Sequence, residues 1–426
     1  MVDIKLVRSN PDAVKAAVKK RGMDLDNLID EILAIDEQRR ALTAETESLR
    51  ARQNAASKKI PQMKKAGEDT SALMAEMKEL AEAAREKNAE LAALEEKQQE
   101  LMLSIPNLPD PDLVGGGKEN NAPVHYWGEQ PTFGFTPKNH VELCEALGLI
   151  DYERGAKLAG NGSWVYRGMG SRLEWALLNF FIDEHIKDGY ELILPPHMLG
   201  YECGYTAGQF PKFADEVYWI ANPTGSDKRF MLPTAETALV NLHRGEILSL
   251  DELPKKYIAY TPCYRREAGS YRSEERGMIR GHQFNKVEMV QYTTETGSDA
   301  AFEELVRKAE TLVQKLGLHY RLEKLAAGDC SFSMARTYDI EVWIPSMGIY
   351  KEVSSASNAR DYQARRGGIR YRGEDGKMHL AHTLNASGLA TSRVLPAIVE
   401  QCQNADGSVT VPEVLRPYLG GLEVIR

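Results

Sequence analysis

The sequence lacks the patterns that mark several common protein classes. Its 426 residues contain no run of about 18 or more apolar residues, so we predict no membrane span. The amino terminus has no apolar signal core, and Asp3 and Asp12 argue against a transit peptide, so we predict a cytoplasmic protein. The five cysteines include no Cys-x-x-Cys pair, which is typical of reduced thiols rather than of a disulfide framework or a zinc site.

Strong positive charge and glycine-rich nucleotide motifs are also missing. The formal net charge is −9, so a nucleic-acid contact would need a local basic patch rather than a uniformly basic surface. No Gly-x-Gly-x-x-Gly or P-loop pattern accompanies a strand-to-helix turn, which counts against the common parallel nucleotide-binding folds. The one His-x-x-His pair, His379 and His382, is more typical of a sheet edge than of a metal site.

Seven-residue apolar repeats dominate the N-terminal part of the chain. A short helix is predicted between Pro11 and Gly22. One heptad series then starts at Leu28 and a second at Leu73, with a turn-like segment around Gly67 between them, which predicts an antiparallel coiled-coil hairpin with arms of roughly 55 to 60 Å. The distal half of the first arm carries six basic residues with no acidic residue among them: Arg50, Arg52, Lys58, Lys59, Lys64 and Lys65.

The hairpin has two interpretations. A charged coiled coil is most often a solvated spacer or a dimerisation rod. An arm that is basic towards its tip is also suited to a partner with a regular phosphate backbone. Pro61 falls near the tip of the hairpin, so we expect the first helix to end or kink there.

A proline- and glycine-rich segment, 106–118, separates the hairpin from the rest of the chain. We therefore predict an N-terminal domain at 1–105, a linker at 106–118 and a large second domain at 119–426. In the second domain, strand patterns lie at 257–264, 282–292, 340–344 and 379–384, and helix patterns at 171–188, 236–244, 299–316 and 388–400. Several strands follow one another around hairpins, which predicts an α+β fold: a mainly antiparallel sheet with flanking helices.

The stretch 264–288 combines fixed positive charge, an aromatic side chain and a carboxylate. Phe284, Lys286 and Glu288 share a parity, so an extended backbone puts them on one side of a sheet, with Phe284 and Glu288 about 13 Å apart. Arginine stays ionised and offers paired donors, so Arg265 and Arg280 are the leading phosphate ligands. The alternative is a solvated, salt-bridged hairpin, because acidic residues are also present. We favour a nucleoside triphosphate site.

Four short motifs occur in order along the second domain. They lie at 191–196, at 264–288, at 351–366 and at 385–393, with Thr234-Ala235-Glu236 between the first two. Together they resemble the motifs of class II aminoacyl-tRNA synthetases, and closely those of bacterial-type seryl-tRNA synthetases. The resemblance covers essentially the whole chain, including the hairpin. It implies ATP-dependent activation of L-serine to seryl-adenylate and transfer to the 3′ end of serine tRNA. Whether selenocysteine tRNA is a second substrate stays open.

The resemblance also implies a role for each matching residue. Arg265 would hold the α-phosphate and the serine carboxylate, and Arg280 the γ-phosphate; Phe284 would stack on adenine, with Arg393 covering the other face or the phosphates. The implied ATP-binding set is Arg265, Arg266, Glu267, Arg280, Phe284, Glu352, Val353, Ser354, Ser355 and Arg393. The implied serine-binding set is Thr234, Ala235, Glu236, Arg265, Glu288, Asn385 and Ser387. The implied catalytic residues are Arg265, Arg280, Glu288, Glu352 and Arg393.

A metal and two macromolecular partners are implied in the same way. Glu352 and Ser355 would carry Mg²⁺, a hard cation that prefers oxygen ligands. The chain would form a homodimer through its first motif, and the six basic residues of one subunit's arm would grip the long variable arm of serine tRNA. Ala386, Ser392 and Pro396 depart from the general third-motif pattern, which bears on the placement of Arg393.

Two rival functions remain open at this stage. One is an amino-acid ligase of synthetase ancestry that loads a carrier protein; such relatives lack the long arm. The other is a non-catalytic RNA-binding or scaffold paralogue, which should have lost charges among Arg265, Glu267, Glu288, Glu352 and Arg393. All five charges are present in this sequence.

Overall fold

The computed structural model describes residues 1–221, 227–267 and 277–426. They form two compact units. The helical unit comprises Val2–Lys19 and Met23–Pro106, and the sheet unit comprises Met1, Lys20–Gly22 and Asn107–Arg426. Within the described ranges, no helix is both long and apolar enough to cross a membrane. The cytoplasmic location stays a prediction.

Two short helices and one long hairpin make up the helical part of the chain: α1 Ile4–Ser9, α2 Pro11–Lys20, α3 Asp26–Ala66 and α4 Ser71–Met102. The predicted helix at Pro11 is confirmed, and it ends before Gly22, which adopts φ 72°. Helix α1 was not predicted; in it the Asp3 side chain caps the first turn by accepting from the Lys5 amide.

The long helices α3 and α4 pack antiparallel, as predicted. Arg50 Nη2 donates to Asn88 Oδ1 at 2.9 Å, and near the base of the hairpin Lys97 pairs with Glu31 at 2.7 Å. The expectation for Pro61 as a helix end was wrong: α3 continues through it to Ala66. Proline removes one backbone hydrogen bond but leaves the flanking turns intact. The helix ends instead at Gly67, whose left-handed φ of 75° suits a glycine C-cap.

A carboxylate lies buried in the seam of this hairpin. Asp36 is 1 % exposed and accepts hydrogen bonds from Arg8 Nε at 2.7 Å, Arg40 Nε at 3.0 Å and Gln98 Nε2 at 3.3 Å. Burial alone would raise the pKa of Asp36, but the hydrogen bonds from Arg8, Gln98 and Arg39 hold it well below its ordinary value. The heptad pattern gave no sign of this polar cluster, which ties α1, α3 and α4 together.

The sheet unit contains the remaining helices and all strands of the described residues. The helices are α5 His140–Ala146, α6 Tyr152–Ala159, α7 Met169–Lys187, α8 Tyr201–Ala207, α9 Glu236–Leu239, α10 Ser298–Lys315, α11 Tyr362–Gly367 and α12 Thr391–Gln401. The strands are β1 Ala122–Trp127, β2 Ile150–Asp151, β3 Val165–Tyr166, β4 Glu191–Ile193, β5 Met198–Gly200, β6 Arg229–Met231, β7 Ile247–Leu248, β8 Lys255–Tyr264, β9 Gln283–Thr293, β10 Tyr320–Lys324, β11 Arg336–Ile344, β12 Ile349–Asn358, β13 Arg370–Arg372, β14 Met378–Leu380, β15 His382–Ala390, β16 Val409–Thr410 and β17 Val424–Ile425.

One large sheet organises this unit. Its strand order is β1-β10-β11-β12-β15-β9-β8-β4, and every neighbouring pair is antiparallel except β4 with β8. The predicted α+β fold with a mainly antiparallel sheet is therefore confirmed. Several boundaries differ from prediction. Strand β11 begins at Arg336 rather than at residue 340. Helix α9 is shorter than 236–244, the strand pattern at 379–384 divides between β14 and β15, and α12 begins at Thr391 because residues 388–390 still belong to β15.

The central strands separate a hydrophobic core from an open face. Val287 and Met289 of β9 lie in the core with Leu384 and Ala386 of β15, where side chains of α7, α10 and α12 pack against them. Successive side chains of a strand point to opposite faces. The intervening polar residues Lys286 and Glu288 must therefore face the other side of the sheet.

The segment predicted as a linker, 106–118, is held firmly from Asn107 onwards. Asn107 Nδ2 donates to the carbonyl oxygens of Ser333 and Ala359 at 2.9 and 2.8 Å. Asp110 accepts from Arg336 Nε at 2.8 Å and is also bound by Arg360. These contacts place most of the segment within the sheet unit. The predicted roles of the two domains, tRNA binding for 1–105 and aminoacylation for 119–426, stay predictions.

Candidate active site

A cavity of about 470 Å³ opens on the polar face of the large sheet. It contains most of the residues that the sequence motifs single out, although these are far apart in the chain. The cavity is lined by Thr234, Glu236, Arg265, Glu267, Arg280, Phe284, Glu288, Glu352, Val353, Ser355, Asn385, Ser387 and Arg393. A volume of this size is in the range of small-molecule and cofactor sites.

Neighbouring strands bring these residues together. In the order β12-β15-β9-β8, Ser357 pairs with Asn385, and Ser387 pairs with Glu288. The register shifts between Ser387 and Ala390, so a bulge interrupts β15 just before α12 begins. A bulge redirects the chain and its side chains. Arg393 of α12 therefore reaches the same cavity as the strand residues, even though Pro396 lies inside the helix.

Three predicted site residues lie elsewhere. Ser354 is fully buried, and its Oγ donates to the Ser387 carbonyl at 2.6 Å, so it supports the bulge rather than facing a ligand. Arg266 is exposed and its Nη1 donates to the Asp215 carbonyl at 3.0 Å. Ala235 is buried within the turn before α9, between two cavity residues. Ser355, the next residue on β12, faces the cavity, so strand alternation puts Ser354 on the other face. Glu352 also reaches the cavity because the register of β12 against β11 shifts between Glu352 and Ser354.

One end of the cavity holds a buried acid and a buried lysine. Glu288 is 1 % exposed and forms an ion pair with Lys286, whose Nζ also donates to Thr234 Oγ1 at 2.9 Å. Asn385 Nδ2 donates to the other carboxylate oxygen of Glu288 at 3.1 Å. The result is a small, buried polar cluster in which Lys286 and Glu288 are paired with each other.

Glu236 adds a second acid to this end. Gln363 Nε2 donates to it at 2.8 Å, and Asn385 Nδ2 lies 3.3 Å from its other oxygen. Burial raises the pKa of Glu236 to about 7, and the nearby charge of Glu288 acts in the same direction. Two carboxyl groups around one pocket are suited to a small ligand that carries an ammonium group.

The other end of the cavity is cationic and aromatic. The guanidinium of Arg265 lies over the Phe284 ring, 5.1 Å from its centroid. Arg280 Nε donates to Glu267 at 2.7 Å, which orients this arginine at the cavity wall. Arginine forks and an aromatic face are suited to phosphate oxygens and a flat base.

Glu352 and Ser355 fit the donor set expected for a hard cation. Arg393 Nη1 donates to the Glu352 carbonyl at 2.8 Å and lies 3.3 Å from its carboxylate. Burial would raise the pKa of Glu352, but Arg393 and Arg265 together hold it below its ordinary value, so the carboxylate is ionised. In the described part of the chain, no three His, Cys, Asp or Glu side chains form a metal cluster. A cation at this site would therefore need further oxygens from a ligand.

Some cavity residues were not predicted from the sequence. Lys286 was placed on the right strand face but not among the site residues, although a buried lysine between an aromatic and an acid was a usable signal. The loop residues Gly208, Gln209 and Glu216 also line the cavity, and no local pattern predicts them because tertiary packing alone brings them there. Residues 268–276, inside the predicted stretch 264–288, lie outside the described residues.

Two family models match the chain over separate parts. One is described as "Seryl-tRNA synthetase N-terminal domain" and matches residues 1–109. The other is described as "tRNA synthetase class II core domain (G, H, P, S and T)" and matches residues 218–402. The matches coincide with the hairpin and with most of the cavity-bearing sheet.

Full-length relatives give the same result. The chain is 60 % identical to serine–tRNA ligase 2 of Clostridium acetobutylicum over 424 residues, 99 % of each chain, and 54 % identical to serine–tRNA ligase of Thermotoga maritima over 430 residues, all of both chains. The crystal structure of Pyrococcus horikoshii seryl-tRNA synthetase complexed with ATP superposes with a TM-score of 0.93 at 34 % identity, covering 100 % of this chain and 99 % of that one. The predicted resemblance is confirmed, and the chain belongs to the seryl-tRNA synthetase family of class II aminoacyl-tRNA synthetases.

Proposed function

We propose that the cavity is divided between ATP, at the end with Arg265, Arg280 and Phe284, and L-serine, at the end with Glu236 and Glu288. The chain activates serine with ATP and transfers the seryl group to the 3′ end of serine tRNA. The observation that carries this division is the placement of a cationic, aromatic end and an acidic end within one cavity. The relatives are named serine–tRNA ligases, and one solved relative was crystallised with ATP.

The first step joins two anions. A carboxylate oxygen of serine attacks the α-phosphorus of ATP, a new O–P bond forms, and the bond to pyrophosphate breaks. Arg265 belongs to the ATP end, but its Nε donates to the Pro233 carbonyl, next to Thr234, and its charge acts on Glu236 of the serine end. It can therefore hold both the serine carboxylate and the α-phosphate as their charges approach. Fixed cationic donors aimed at the developing charge stabilise such a transition state, and correct positioning supplies much of the rest. In the second step a ribose hydroxyl of the tRNA attacks the activated carbonyl carbon, and AMP leaves.

Serine is recognised by its ammonium and its hydroxyl. Glu236 and Glu288 attract the ammonium, while Ser387, directly across the ladder from Glu288, accepts or donates at the hydroxyl. A pocket built to hydrogen-bond a hydroxyl rejects the analogue that lacks it, because buried polar groups are left unpaired. Alanine should therefore be activated poorly.

Mg²⁺ would be held by Glu352 and Ser355 together with phosphate oxygens of ATP. Both side chains line the cavity, and they offer an ionised carboxylate and a hydroxyl, which are the hard oxygen ligands this cation prefers. When bound, the cation neutralises phosphate charge. Arg393, which now bonds to Glu352, lies close enough to share the same phosphates.

The tRNA would be gripped by the hairpin α3–α4. All six basic residues predicted for this role are exposed on α3. Arg50 and Arg52 have partners on α4, at Asn88 and Glu76. The four lysines form no ion pair with another described residue, so their charges are available to phosphates of the long variable arm: Lys58, Lys59, Lys64 and Lys65. Such contacts position a nucleic acid without reading its sequence.

The surroundings of the first motif, at 191–196, support a homodimer. Strand β4 is the edge of the large sheet. Just after it, Leu194 is 75 % exposed, and Trp175 on α7 is 53 % exposed. Large exposed apolar side chains near a sheet edge mark an interaction surface. A second copy of this chain would cover them, and Leu194→Asp should shift the mass measured by light scattering from dimer to monomer.

Serine-dependent exchange of pyrophosphate into ATP tests the activation step. We expect exchange with serine and Mg²⁺, and none above background without serine. The test of the arm is deletion of residues 30–100, which should leave exchange intact but abolish charging of serine tRNA. Absence of exchange would refute activation, whereas unchanged charging by the truncated chain would remove the hairpin from tRNA binding.

The two rival functions are less consistent with these observations. A carrier-protein ligase has no use for the long hairpin, which this chain contains as α3 and α4. A non-catalytic paralogue would not retain a complete set of charges around a cavity, yet Arg265, Glu288, Glu352 and Arg393 all line it. Transfer of serine to a carrier protein but not to tRNA would favour the first rival.

A further inference from the structure

A buried carboxyl group lies behind the proposed ATP end of the cavity. Glu174 is on α7, which packs against the core face of the sheet, and the residue is 3 % exposed. It does not line the cavity. Burial of a carboxyl group without a cationic partner costs free energy, so the contacts that Glu174 makes need an explanation.

Glu174 bonds to two elements that carry ATP-site residues. Its Oε1 accepts from Asn285 Nδ2 of β9 at 2.8 Å and from Thr391 Oγ1 of α12 at 2.5 Å. The Thr391 hydroxyl also lies 3.2 Å from the carbonyl oxygen of Asn285, which closes a three-membered cluster. One carboxyl oxygen thus joins α7, β9 and α12.

The same two contact residues are adjacent to the groups proposed to enclose adenine. Asn285 directly follows Phe284, and strand alternation puts the two side chains on opposite faces of β9. Thr391 is the first residue of α12, and Arg393 follows two positions later. Ala390, just before the helix, pairs with Lys286 across the bulged ladder. A shift of Thr391 would therefore move Arg393 relative to β9.

A second contact of α7 fixes β15 at Gly388, three residues before Thr391. His185 lies eleven residues after Glu174, three helical turns along and on the same face, roughly 16 Å away. Its Nε2 lies 3.2 Å from the Gly388 carbonyl, and burial lowers the pKa of His185 to about 4, so the neutral ring donates there. A side chain at Gly388 would collide with this ring, since an added Cβ would lie 2.3 Å from Nε2.

We propose that Glu174 is a positioning residue for ATP: from behind the sheet it fixes Asn285 and Thr391, and thereby sets the separation of Phe284 and Arg393. The inference rests on the proposed function, because it takes the Phe284 end of the cavity as the nucleotide end. The second carboxyl oxygen of Glu174, Oε2, is buried with no hydrogen-bond partner in the described ranges. Burial raises the pKa of Glu174 to about 7, so this oxygen can hold a proton near neutral pH; Tyr166 and Tyr260 are the titratable groups that face it.

Four variants of the full-length chain test the role in pyrophosphate exchange. Glu174→Ala removes the acceptor, and Thr391→Val removes one donor while keeping the side-chain shape. We expect the KM for ATP to rise about tenfold in the first and about threefold in the second, with the KM for serine within about twofold, because misplacement of groups around one substrate affects that substrate first. Glu174→Gln keeps an acceptor oxygen for both donors and should remain close to the wild type.

Glu184→Ala is the matched control. Glu184 is on the same helix, but it pairs with Lys187 and Lys315 away from the sheet, so its variant should behave as the wild type. An unchanged KM for ATP in both Glu174→Ala and Thr391→Val would overturn the proposal. The proposal would also be overturned if Glu174→Ala lowered only kcat and Glu184→Ala lowered it equally, since that result indicates general destabilisation. If Glu174→Ala does not fold, Thr391→Val decides alone.

Calorimetric binding of ATP with Mg²⁺ gives a readout that does not depend on turnover. The dissociation constant should rise in Thr391→Val by the same factor as the KM, and an unchanged constant would contradict the role of the cluster. Failure of the proposed function looks different: the wild-type chain would then show no serine-dependent exchange at all. The two outcomes are therefore distinguishable.

Discussion

Replacement of Glu288 by glutamine should impair serine activation strongly. The substitution keeps the size of the side chain and an oxygen that can accept from Asn385, but it removes the negative charge. In the structure that charge is 1 % exposed and is paired with Lys286. The variant pocket would hold the Lys286 ammonium and the Arg265 guanidinium against the single carboxyl of Glu236. A ligand that brings its own ammonium would then meet a net positive site.

The size of the effect follows from the burial of the pair. Hydrogen bonds that involve a charged group contribute about 1.5 to 3 kcal/mol, and removal of one partner of a buried ion pair costs about 3 to 5 kcal/mol. Part of this cost appears in the folded enzyme before serine binds. We therefore assign about 3 to 4 kcal/mol to the serine transition state, which corresponds to a fall of roughly 10² to 10³ in kcat/KM for serine.

Pyrophosphate exchange as a function of serine concentration measures this ratio, with the KM for ATP recorded in parallel. Glu310→Gln is the matched control, because Glu310 is also largely buried and bonds to His125 and Tyr320 at 2.6 and 2.7 Å, but it lies on α10 and does not line the cavity. A change below about threefold in Glu288→Gln would refute the reasoning, since that is less than 1 kcal/mol. An equal loss in Glu310→Gln would mean that the exchange assay reports stability rather than recognition.

Three further predictions concern specificity, tRNA and pH. Ser387→Ala should lower kcat/KM for serine by about 10- to 100-fold and reduce discrimination against alanine, measured by exchange with each amino acid. Joint replacement of the arm lysines by alanine should weaken tRNA charging and its salt dependence but leave exchange unchanged; the residues are Lys58, Lys59, Lys64 and Lys65. Glu236 has its pKa raised from 4.5 to about 7 in the folded chain. The folded state therefore binds the extra proton between these values, and the free energy of unfolding should fall by up to about 3 kcal/mol as pH rises from 4.5 to 7 and then level off. Denaturation at several pH values should show a smaller fall in Glu236→Gln, and an identical fall would exclude Glu236 as its source.

Periodicity was enough to predict the hairpin and the class of fold. The heptad series that start at Leu28 and Leu73 predicted the two long helices, and the strand patterns predicted the antiparallel sheet. The end of α3 was misplaced because a proline costs one hydrogen bond, which a long packed helix tolerates. The buried Asp36 was not foreseen, since its partners Arg8 and Gln98 come from distant parts of the chain.

The candidate site was predictable to the extent that its motifs are local. Arg265, Phe284 and Glu288 lie on one stretch whose spacing indicated a shared face, and Glu352 and Ser387 followed from the resemblance. Ser354 was included because a motif covers a whole stretch, whereas the direction of each side chain depends on the pleat and on local register shifts; its hydroxyl bonds to the Ser387 carbonyl instead of lining the cavity. Glu174 has no motif at all. Its contacts arise only when α7 packs behind β9 and α12.

The ion pair between Lys286 and Glu288 has a consequence for how tightly the enzyme can hold its amino acid. In the structure the carboxylate is already paired with Lys286, so an incoming ammonium shares it with a resident one. The net gain on binding is then smaller than the attraction of an ammonium to an unpaired carboxylate, because the charge is already partly compensated. Such a pocket gains selectivity for ammonium-bearing molecules of the right shape without binding them so tightly that release becomes slow.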